Sequence, residues 1–309
     1  MGKLIWPNFY VVGAVKCGTT TLYAQLKQHP QVFLPEMKEP HFFRSFSLPP
    51  WLEYEHCSGN LEAYQRLYRG AEKYPAIGDT SPSYLWDEQA PKKIFAICPH
   101  ARIIMILRDP VARAYSEYLM SLMNGAETLP LPDAFYKDVE QVERTDREIW
   151  DARMYIKKGL YHDQVLRYLD TFGSEQVLVL LTDDLHKKPL EVYSRIGKHI
   201  GIDPGPFEKL DFSEAQNEFR MPRNLALFHL FNSATAQRLK RVLLPDSVRK
   251  RLRDSRVLHY SPLLYKTKKP PMDPESRRFL QEIFDPDVRN LEKLLGRELP
   301  ELRKSWDKR

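Results

Sequence analysis

The sequence predicts an α/β fold of the P-loop type, in which helices flank a central parallel sheet on both faces to give three layers, with a helical C-terminal part. Three observations predict it. Short apolar runs alternate with longer amphipathic segments, as in strands joined by crossover helices. The runs are rich in Val, Ile and Leu, as expected of strands buried on both faces. A glycine-containing turn follows the first run and opens a helix. We expect one domain, 1–309, whose helical C-terminal portion starts at about residue 207.

The apolar runs predict strands at residues 9–15, 76–79, 102–107 and 176–181. Amphipathic spacing predicts helices between and after them, and a proline at the start of several suits a first helical turn. Beyond Phe207 the strand signal ends. The basic, proline-rich stretch 265–271 is either a linker or a loop that folds over an anionic ligand. The expected helices are 19–28, 61–68, 91–97, 111–123, 161–171, 189–200, 226–239 and 274–295.

Composition limits the classes of function. Hydrophobic residues make up 42% and charged residues 28%, which is typical of a globular chain and excludes a disordered or fibrous one. The 47 basic and 41 acidic residues leave a net charge of +6. This excess favours anionic ligands without indicating nucleic-acid binding, and the alternative is an ordinary solvated surface. Three scattered cysteines are too few for a disulfide framework or a zinc site, which fits a reducing compartment.

The N-terminus predicts no secretory signal, because no basic, apolar and small-residue series precedes the apolar run at Phe9. No uncharged stretch reaches the roughly 18 residues of a membrane helix. We therefore expect a cytoplasmic protein without a membrane segment, although a chain separated from a membrane anchor would look the same. Nothing in the sequence indicates an oligomeric state.

The segment Gly13-Ala-Val-Lys-Cys-Gly-Thr-Thr-Thr-Leu joins the first strand to the first helix. Its glycines permit a tight turn with converging N–H groups, and the helix N-terminus adds partial positive charge, so an anion should bind there. Gly13 and Gly18 have Walker spacing, but Thr19 and Thr20 follow, and the lysine lies inside the turn at Lys16. This order disfavours an ATP or GTP site and suits a donor with one 5′-phosphate and a sulfate, which needs no Mg²⁺. The alternative is a glycine turn with a solvated lysine.

A second candidate anion site follows the strand at 102–107. Arg108 ends that strand, at the edge where parallel sheets bind ligands, and Ser116 lies eight residues further on, inside the next helix. A guanidinium and a hydroxyl can together hold a phosphate. The alternative is an ion pair between Arg108 and Asp109 at the helix start, with Tyr115 and Tyr118 as packing residues.

A third candidate lies in the loop 35–43, which contains two carboxylates, a lysine and a histidine beside two phenylalanines. Glu39 and His41 are the residues in it that could accept a proton in a partly dry site. The alternative is a surface loop that Phe42 and Phe43 anchor to the core.

Two motifs carry a resemblance to a known family. Gly-Ala-x-Lys-x-Gly-Thr-Thr-x-Leu from Gly13 and Leu-Arg-Asp-Pro-x-x-Arg-Ala-x-Ser from Leu107 are similar to the sulfotransferases that use 3′-phosphoadenosine 5′-phosphosulfate (PAPS). The likeness runs from Phe9 to about Trp306 and is strongest to the heparan sulfate branch and its bacterial relatives. It implies a parallel sheet with flanking helices, PAPS as donor, the desulfated nucleotide PAP as product, and no metal.

The resemblance also implies roles for residues. The turn would hold the 5′-phosphosulfate, the second motif the 3′-phosphate, and the late basic loop would close over the nucleotide. Glu39 corresponds to the family's catalytic carboxylate, with His41 as a second base or positioning group. The acceptor would attack sulfur in line while Lys16 stabilises the departing phosphate. The implied donor-binding residues are Lys16, Cys17, Gly18, Thr19, Thr20, Arg108, Ser116, Lys266 and Lys268.

One position departs from the family pattern. Those enzymes commonly have a lysine before a Ser/Thr-Pro-x-Tyr segment, where this chain has Thr80. The acceptor, a hydroxyl or amine of a carbohydrate or small molecule, is therefore expected to be smaller or less anionic than a sulfated polysaccharide. Two other functions remain open at this point: a P-loop kinase that uses ATP, and a nucleotide-binding scaffold without catalytic activity.

Overall fold

The computed structural model describes residues 4–46, 57–142, 154–212, 221–225, 228 and 265–306. A five-stranded sheet lies at its centre, in the order β2-β3-β1-β4-β5. Every neighbouring pair of these strands is parallel, so the carboxyl ends of all five meet at one edge. The strands are β1 (Phe9–Gly13), β2 (Val32–Phe33), β3 (Ala76–Thr80), β4 (Arg102–Leu107) and β5 (Val177–Leu181).

The central strand β1 is buried along its whole length, as is β3 beside it. In the parallel register Phe9 lies opposite Gly78 on one side and Arg102 on the other. A side chain at Gly78 would place its Cβ 2.2 Å from the Phe9 ring, so only glycine lets that ring pack against β3. The uniform apolar character of these strands thus reflects burial on both faces.

Several helices begin where the sequence supplies a capping side chain or a proline. The side chain of Asn60 accepts from the Ala63 N–H at the start of α2, and Asp273 does the same for Ser276 at the start of α9. The helices are α1 (Thr19–Leu26), α2 (Leu61–Leu67), α3 (Ala90–Ile97), α4 (Pro110–Met123), α5 (Asp133–Val142), α6 (Tyr161–Phe172), α7 (Thr182–Lys187), α8 (Pro189–Ile200) and α9 (Pro274–Leu295).

The predicted α/β class with a central parallel sheet is confirmed, and the four predicted strands and most helices are present within one or two residues of the expected bounds. The strand β2 and the helices α5 and α7 were not predicted. The expectation of helices alone beyond Phe207 is wrong, because β6 (Met221–Pro222) pairs antiparallel with β7 (Tyr265–Lys266). Strands of two residues are too short to show the alternation of apolar and polar residues by which a strand is recognised in a sequence. The helix expected at 226–239 lies outside the described residues, apart from residue 228.

A second apolar core joins α4, α5 and α9 and supports the late basic stretch. Tyr115 on α4 and Phe284 on α9 belong to this core. The Tyr115 hydroxyl lies 2.9 Å from the Pro270 carbonyl oxygen and donates to it, so the stretch after β7 packs against α4 rather than running free as a linker. Among the described helices, none is both long and apolar enough to cross a bilayer.

Candidate active site

The turn after β1 forms an open helix N-terminus at the carboxyl edge of the sheet. Gly18 adopts a φ of 95°, which favours glycine, and α1 begins at the next residue. No side chain in the described part of the chain caps this helix start. The Ala14 N–H donates to the Ile106 carbonyl at 2.8 Å, and the Cys17 N–H donates to Ala14, so the turn is fixed to β4. The first-turn N–H groups of α1 are therefore left for an anion.

Lys16 lies inside this turn with a φ of 65°, an uncommon conformation for a residue with a side chain. Its Nζ lies 3.4 Å from Met120 Sδ, which is a weak acceptor. Burial lowers the pKa of Lys16, the Glu117 carboxylate opposes that shift, and the Arg108 guanidinium adds to it. A partly buried ammonium beside another cation is stabilised when an anion binds between them.

Arg108 follows the carboxyl end of β4 and turns toward the same place, since its Nη1 donates to the Lys16 carbonyl oxygen at 3.3 Å. The alternative pairing with Asp109 is not the one adopted. The Asp109 carboxylate caps α4 through the Ala112 N–H and accepts from the Ser305 N–H at 2.7 Å. Ser116 lies on α4 and is partly exposed. The Arg108 side chain therefore lies against the turn after β1, and its role in binding a phosphate stays a prediction.

A small pocket opens beside Arg108, between the ends of β4 and β5 and the turn Pro300–Arg303. Its volume is about 170 Å³, below the roughly 300–1,000 Å³ of pockets that enclose a whole ligand, so it would take only part of one. Its lining is Leu107, Arg108, Asp109, Ala112, Leu181, Asp183, Glu301, Leu302, Lys304 and Ser305.

The late basic stretch contributes a lysine that the sequence did not single out. Lys266 and Lys268 are exposed, whereas Lys269 is half-buried and its Nζ lies 4.4 Å from the centre of the Tyr115 ring. Burial, together with the charges of Arg108 and Lys16, lowers the pKa of Lys269 to about 7. Lys269 therefore lies close enough to Arg108 and Lys16, the two cations of the predicted donor site, for their charges to act on it.

The loop that carries the candidate base lies beside this cationic site. Glu39 and His41 have φ values of 66° and 54°, and such left-handed residues cost of order 1–3 kcal/mol each. One Glu39 oxygen pairs with the Lys38 ammonium, and Glu39 Oε2 lies 3.5 Å from His41 Nε2. Burial acts to raise the pKa of Glu39, but the bond to His41 and the Lys38 charge outweigh it and hold the pKa at about 2. Glu39 is therefore a carboxylate at neutral pH.

The segment after β3 fixes this loop. The Glu39 N–H donates to the Thr80 carbonyl at 3.1 Å, and the His41 N–H donates to Ser81 Oγ at 3.2 Å. His41 Nδ1 lies 2.8 Å from Ser83 Oγ, which leaves Nε2 facing Glu39. Main-chain and side-chain bonds together set the direction of both candidate bases.

A buried group of charges supports α4 beneath the site. Arg113 and Lys158 both bind the carboxylate of Glu117, and all three side chains are almost completely buried. The pKa of Glu117 is lowered although burial acts to raise it, because the two cations stabilise the carboxylate. This carboxylate raises the pKa of Lys16 and thereby helps to keep that lysine charged.

Three cations, an uncapped helix start and a carboxylate–histidine pair thus meet at the carboxyl edge of the sheet. A family model described as "Sulfotransferase domain" matches residues 7–294. The chain belongs to the sulfotransferase family. The resemblance seen in the two sequence motifs is confirmed at the level of the family, which favours a sulfotransferase over the kinase alternative.

Proteins similar to this sulfotransferase include enzymes named for carbohydrate substrates. Carbohydrate sulfotransferase 15 of Mus musculus is 27% identical over 252 residues, which cover 64% of this chain and 44% of the relative. Bifunctional heparan sulfate N-deacetylase/N-sulfotransferase 3 of Homo sapiens is 27% identical over 306 residues, 97% of this chain and 31% of the relative. The chain spans less than half the length of these curated relatives.

A solved structure covers the chain almost end to end. The crystal structure of a sulfotransferase from Alicyclobacillus acidocaldarius has a TM-score of 0.69 and 28% sequence identity, and the match covers 97% of this chain and 99% of that one. This likeness confirms the predicted sulfotransferase fold.

The structure brings most of the predicted site residues together. Lys16, Gly18, Thr19, Thr20 and Arg108 lie around the turn after β1, although Thr19 is largely buried. Cys17 is also buried, with Sγ 3.6 Å from the Tyr161 hydroxyl, so it lies in the wall of the turn rather than facing a ligand. Sequence reasoning assigned no role to Lys269, and within the hydroxyl-rich segment 79–84 it considered only Thr80. The only sequence signal for Lys269 was its place in a basic run.

Proposed function

We propose that this protein transfers a sulfuryl group from PAPS to a hydroxyl or amine of a carbohydrate acceptor. The observation that carries the proposal is the grouping of Lys16, Arg108 and Lys269 around the uncapped start of α1. The charge of Arg108 lowers the pKa of both Lys16 and Lys269. Such a group of cations indicates a site for a ligand with more than one anionic group. Membership of the sulfotransferase family supports PAPS as that ligand.

Each end of the donor has a candidate partner. The N–H groups at Gly18, Thr19 and Thr20 with the Lys16 ammonium would hold the 5′-phosphosulfate. Arg108 and Ser116 would hold the 3′-phosphate, since a guanidinium binds phosphate through two parallel N–H donors. Lys269 would add a third positive charge. The exposed Lys266 and Lys268 would contribute if the loop closes further on the nucleotide.

The transfer would be direct. The acceptor oxygen or nitrogen forms a bond to sulfur while the bond between sulfur and the bridging phosphate oxygen breaks, and the acceptor proton passes to an enzyme base. Lys16 would neutralise the charge that develops on the leaving phosphate. Glu39 is the proposed base. As a carboxylate paired with Lys38 it is a weak base at rest, so His41, in contact with Glu39, is the alternative.

The names of the relatives support a carbohydrate acceptor. Thr80 lies at the end of β3, and its carbonyl accepts from the Glu39 N–H, so its side chain belongs to the neighbourhood of the proposed base. A hydroxyl there in place of the family's lysine removes one positive charge from that neighbourhood. This favours a carbohydrate with fewer anionic groups than a sulfated polysaccharide.

Transfer of ³⁵S from labelled PAPS tests the proposal. The acceptor panel would contain N-desulfated heparan sulfate, heparosan, chondroitin and the disaccharide chitobiose. We expect label in at least one carbohydrate and no requirement for Mg²⁺. As a second test, calorimetry measures the affinity of the protein for PAP and for Mg-ATP. Tight Mg-ATP binding combined with no PAP binding would overturn the proposal in favour of a kinase.

A further inference from the structure

Asp79 is a fully buried carboxylate that the proposed chemistry does not use. It lies near the carboxyl end of β3, and hydroxyl groups surround it. Ser81 Oγ donates to Oδ1 at 2.7 Å, while the hydroxyls of Tyr64 and Tyr84 donate to Oδ2 at 2.8 and 3.1 Å. Three O–H donors replace the water that a buried carboxylate loses. Burial raises the pKa of Asp79 to about 6 in spite of these bonds.

Two of these hydroxyls also accept main-chain hydrogen bonds from the loop that carries the proposed base. Ser81 Oγ accepts the His41 N–H at 3.2 Å, and the Tyr84 hydroxyl accepts the Phe43 N–H at 3.2 Å. A hydroxyl that donates to a carboxylate has its hydrogen fixed in that direction, so its lone pairs are directed elsewhere. Asp79 thereby orients two acceptors toward two N–H groups of the loop.

The third hydroxyl belongs to a ring that packs on the same loop. Tyr64 stacks on Phe42 with ring centres 4.3 Å apart and planes at 17°. The bond from its hydroxyl to Asp79 fixes the position of that ring. All three groups bound to Asp79 therefore contact the loop, at three consecutive residues.

The loop needs this support because its backbone is strained. Glu39 and His41 both have positive φ, and residues in this conformation persist only where their surroundings hold them. We propose that Asp79 is a positioning residue that acts through Ser81, Tyr84 and Tyr64 to hold Glu39 and His41 in the geometry required for proton transfer. The proposal rests on the proposed function, since it assigns Asp79 to the base of that reaction.

The test compares Asp79→Asn, Ser81→Ala and Tyr84→Phe with Tyr68→Phe. Tyr68 is a matched control, because it is equally buried and its hydroxyl lies 3.4 Å from Tyr64 and from the Gly78 carbonyl rather than on Asp79. With the panel carbohydrate that the wild type sulfates fastest, we expect the first three variants to lower kcat by about 10- to 100-fold. The KM for PAPS and the Kd for PAP should change less than twofold, and the control should keep wild-type kcat.

A double variant distinguishes a positioning role of Asp79 from a general loss of structure. If Asp79 acts through Glu39, adding Asp79→Asn to Glu39→Gln lowers the residual ³⁵S transfer no further than Glu39→Gln alone. Independent effects that multiply would overturn the proposal. Ser81→Ala in the same background gives the answer if the Asp79→Asn protein does not fold.

Amide hydrogen exchange measured by NMR gives a readout that needs no acceptor. In Asp79→Asn and Ser81→Ala, the His41 amide should exchange faster while the amides of β4 keep wild-type protection. Equal acceleration throughout the sheet, or unchanged exchange at His41, would overturn the proposal. A wild-type protein that transfers no sulfate would refute the proposed function, and this measurement would still decide whether Asp79 holds the loop.

Discussion

The pKa of Lys269 makes donor affinity depend on pH in a calculable way. Burial and the charges of Arg108 and Lys16 lower this pKa to about 7, so the ligand-free enzyme loses the charge above neutral pH. An anion bound against the ammonium restores the ordinary pKa near 10.5, and binding of PAP then takes up a proton. Between pH 6.5 and 8.5 the Kd for PAP should rise by about 25-fold from this group alone.

Calorimetry at several pH values, in buffers with different ionisation enthalpies, measures both the affinity and the proton uptake. The phosphates of PAP also titrate and add to the pH dependence of the Kd. Lys269→Met retains a long side chain without the charge, so the pH dependence that remains in this variant measures the contribution of the phosphates. Lys198→Met, at an exposed lysine in the last turn of α8, is the control and should behave like the wild type. A wild-type pH dependence no steeper than that of Lys269→Met would refute the assignment of Lys269 to the donor site.

The lowered pKa of Lys269 also makes the free energy of unfolding of the ligand-free protein depend on pH. Between about pH 7 and 10.5 the unfolded chain binds a proton at Lys269 that the ligand-free folded protein does not. The free energy of unfolding should therefore rise with pH across this window, relative to Lys269→Met. Thermal denaturation of the two proteins across that range checks the sign.

The remaining predictions concern single residues. Arg108→Ala should raise the Kd for PAP by roughly 10- to 150-fold, the equivalent of a charge-assisted contact of about 1.5–3 kcal/mol, and an unchanged Kd in calorimetry would remove Arg108 from the donor site. Glu39→Gln should lower kcat at least 100-fold while the affinity for PAP stays within twofold of wild type. Full activity of Glu39→Gln would instead assign the base role to His41. Lys16→Ala should reduce both kcat and the affinity for PAP. Glu117→Gln leaves two buried cations without their carboxylate and should lower Tm by about 5–8 °C. The exposed Glu191→Gln should lower Tm by less than about 1 °C, and equal shifts in calorimetric scans would contradict this prediction.

Much of the fold was predictable because it depends on local patterns. The strand at 102–107 has the predicted bounds, since its residues 103–107 are all apolar, as expected of a run buried on both faces. The first strand ends at Gly13 rather than at residue 15, because the tight turn that the glycines permit starts there. The two-residue strands β2, β6 and β7 could not be predicted, since they are defined by the partner strand and not by their own sequence.

The site was predictable only in part. Lys16 and Arg108 follow strands whose carboxyl ends must share one edge, so their proximity follows from the fold class. In the basic stretch after β7, no periodicity distinguishes Lys269 from its neighbours, and only packing against Tyr115 turns that one lysine inward. The contacts of the loop at Glu39 with the segment after β3 link residues some 40 positions apart, and nothing in either segment alone indicates them.

A crystal structure of the protein with PAP tests the central claim most directly. The 5′-phosphate should lie within hydrogen-bonding distance of the N–H groups of Gly18, Thr19 and Thr20 and of Lys16 Nζ, and the 3′-phosphate should contact Arg108 with Lys269 nearby. A nucleotide bound elsewhere, or bound in this turn only as a metal-coordinated triphosphate, would contradict the account.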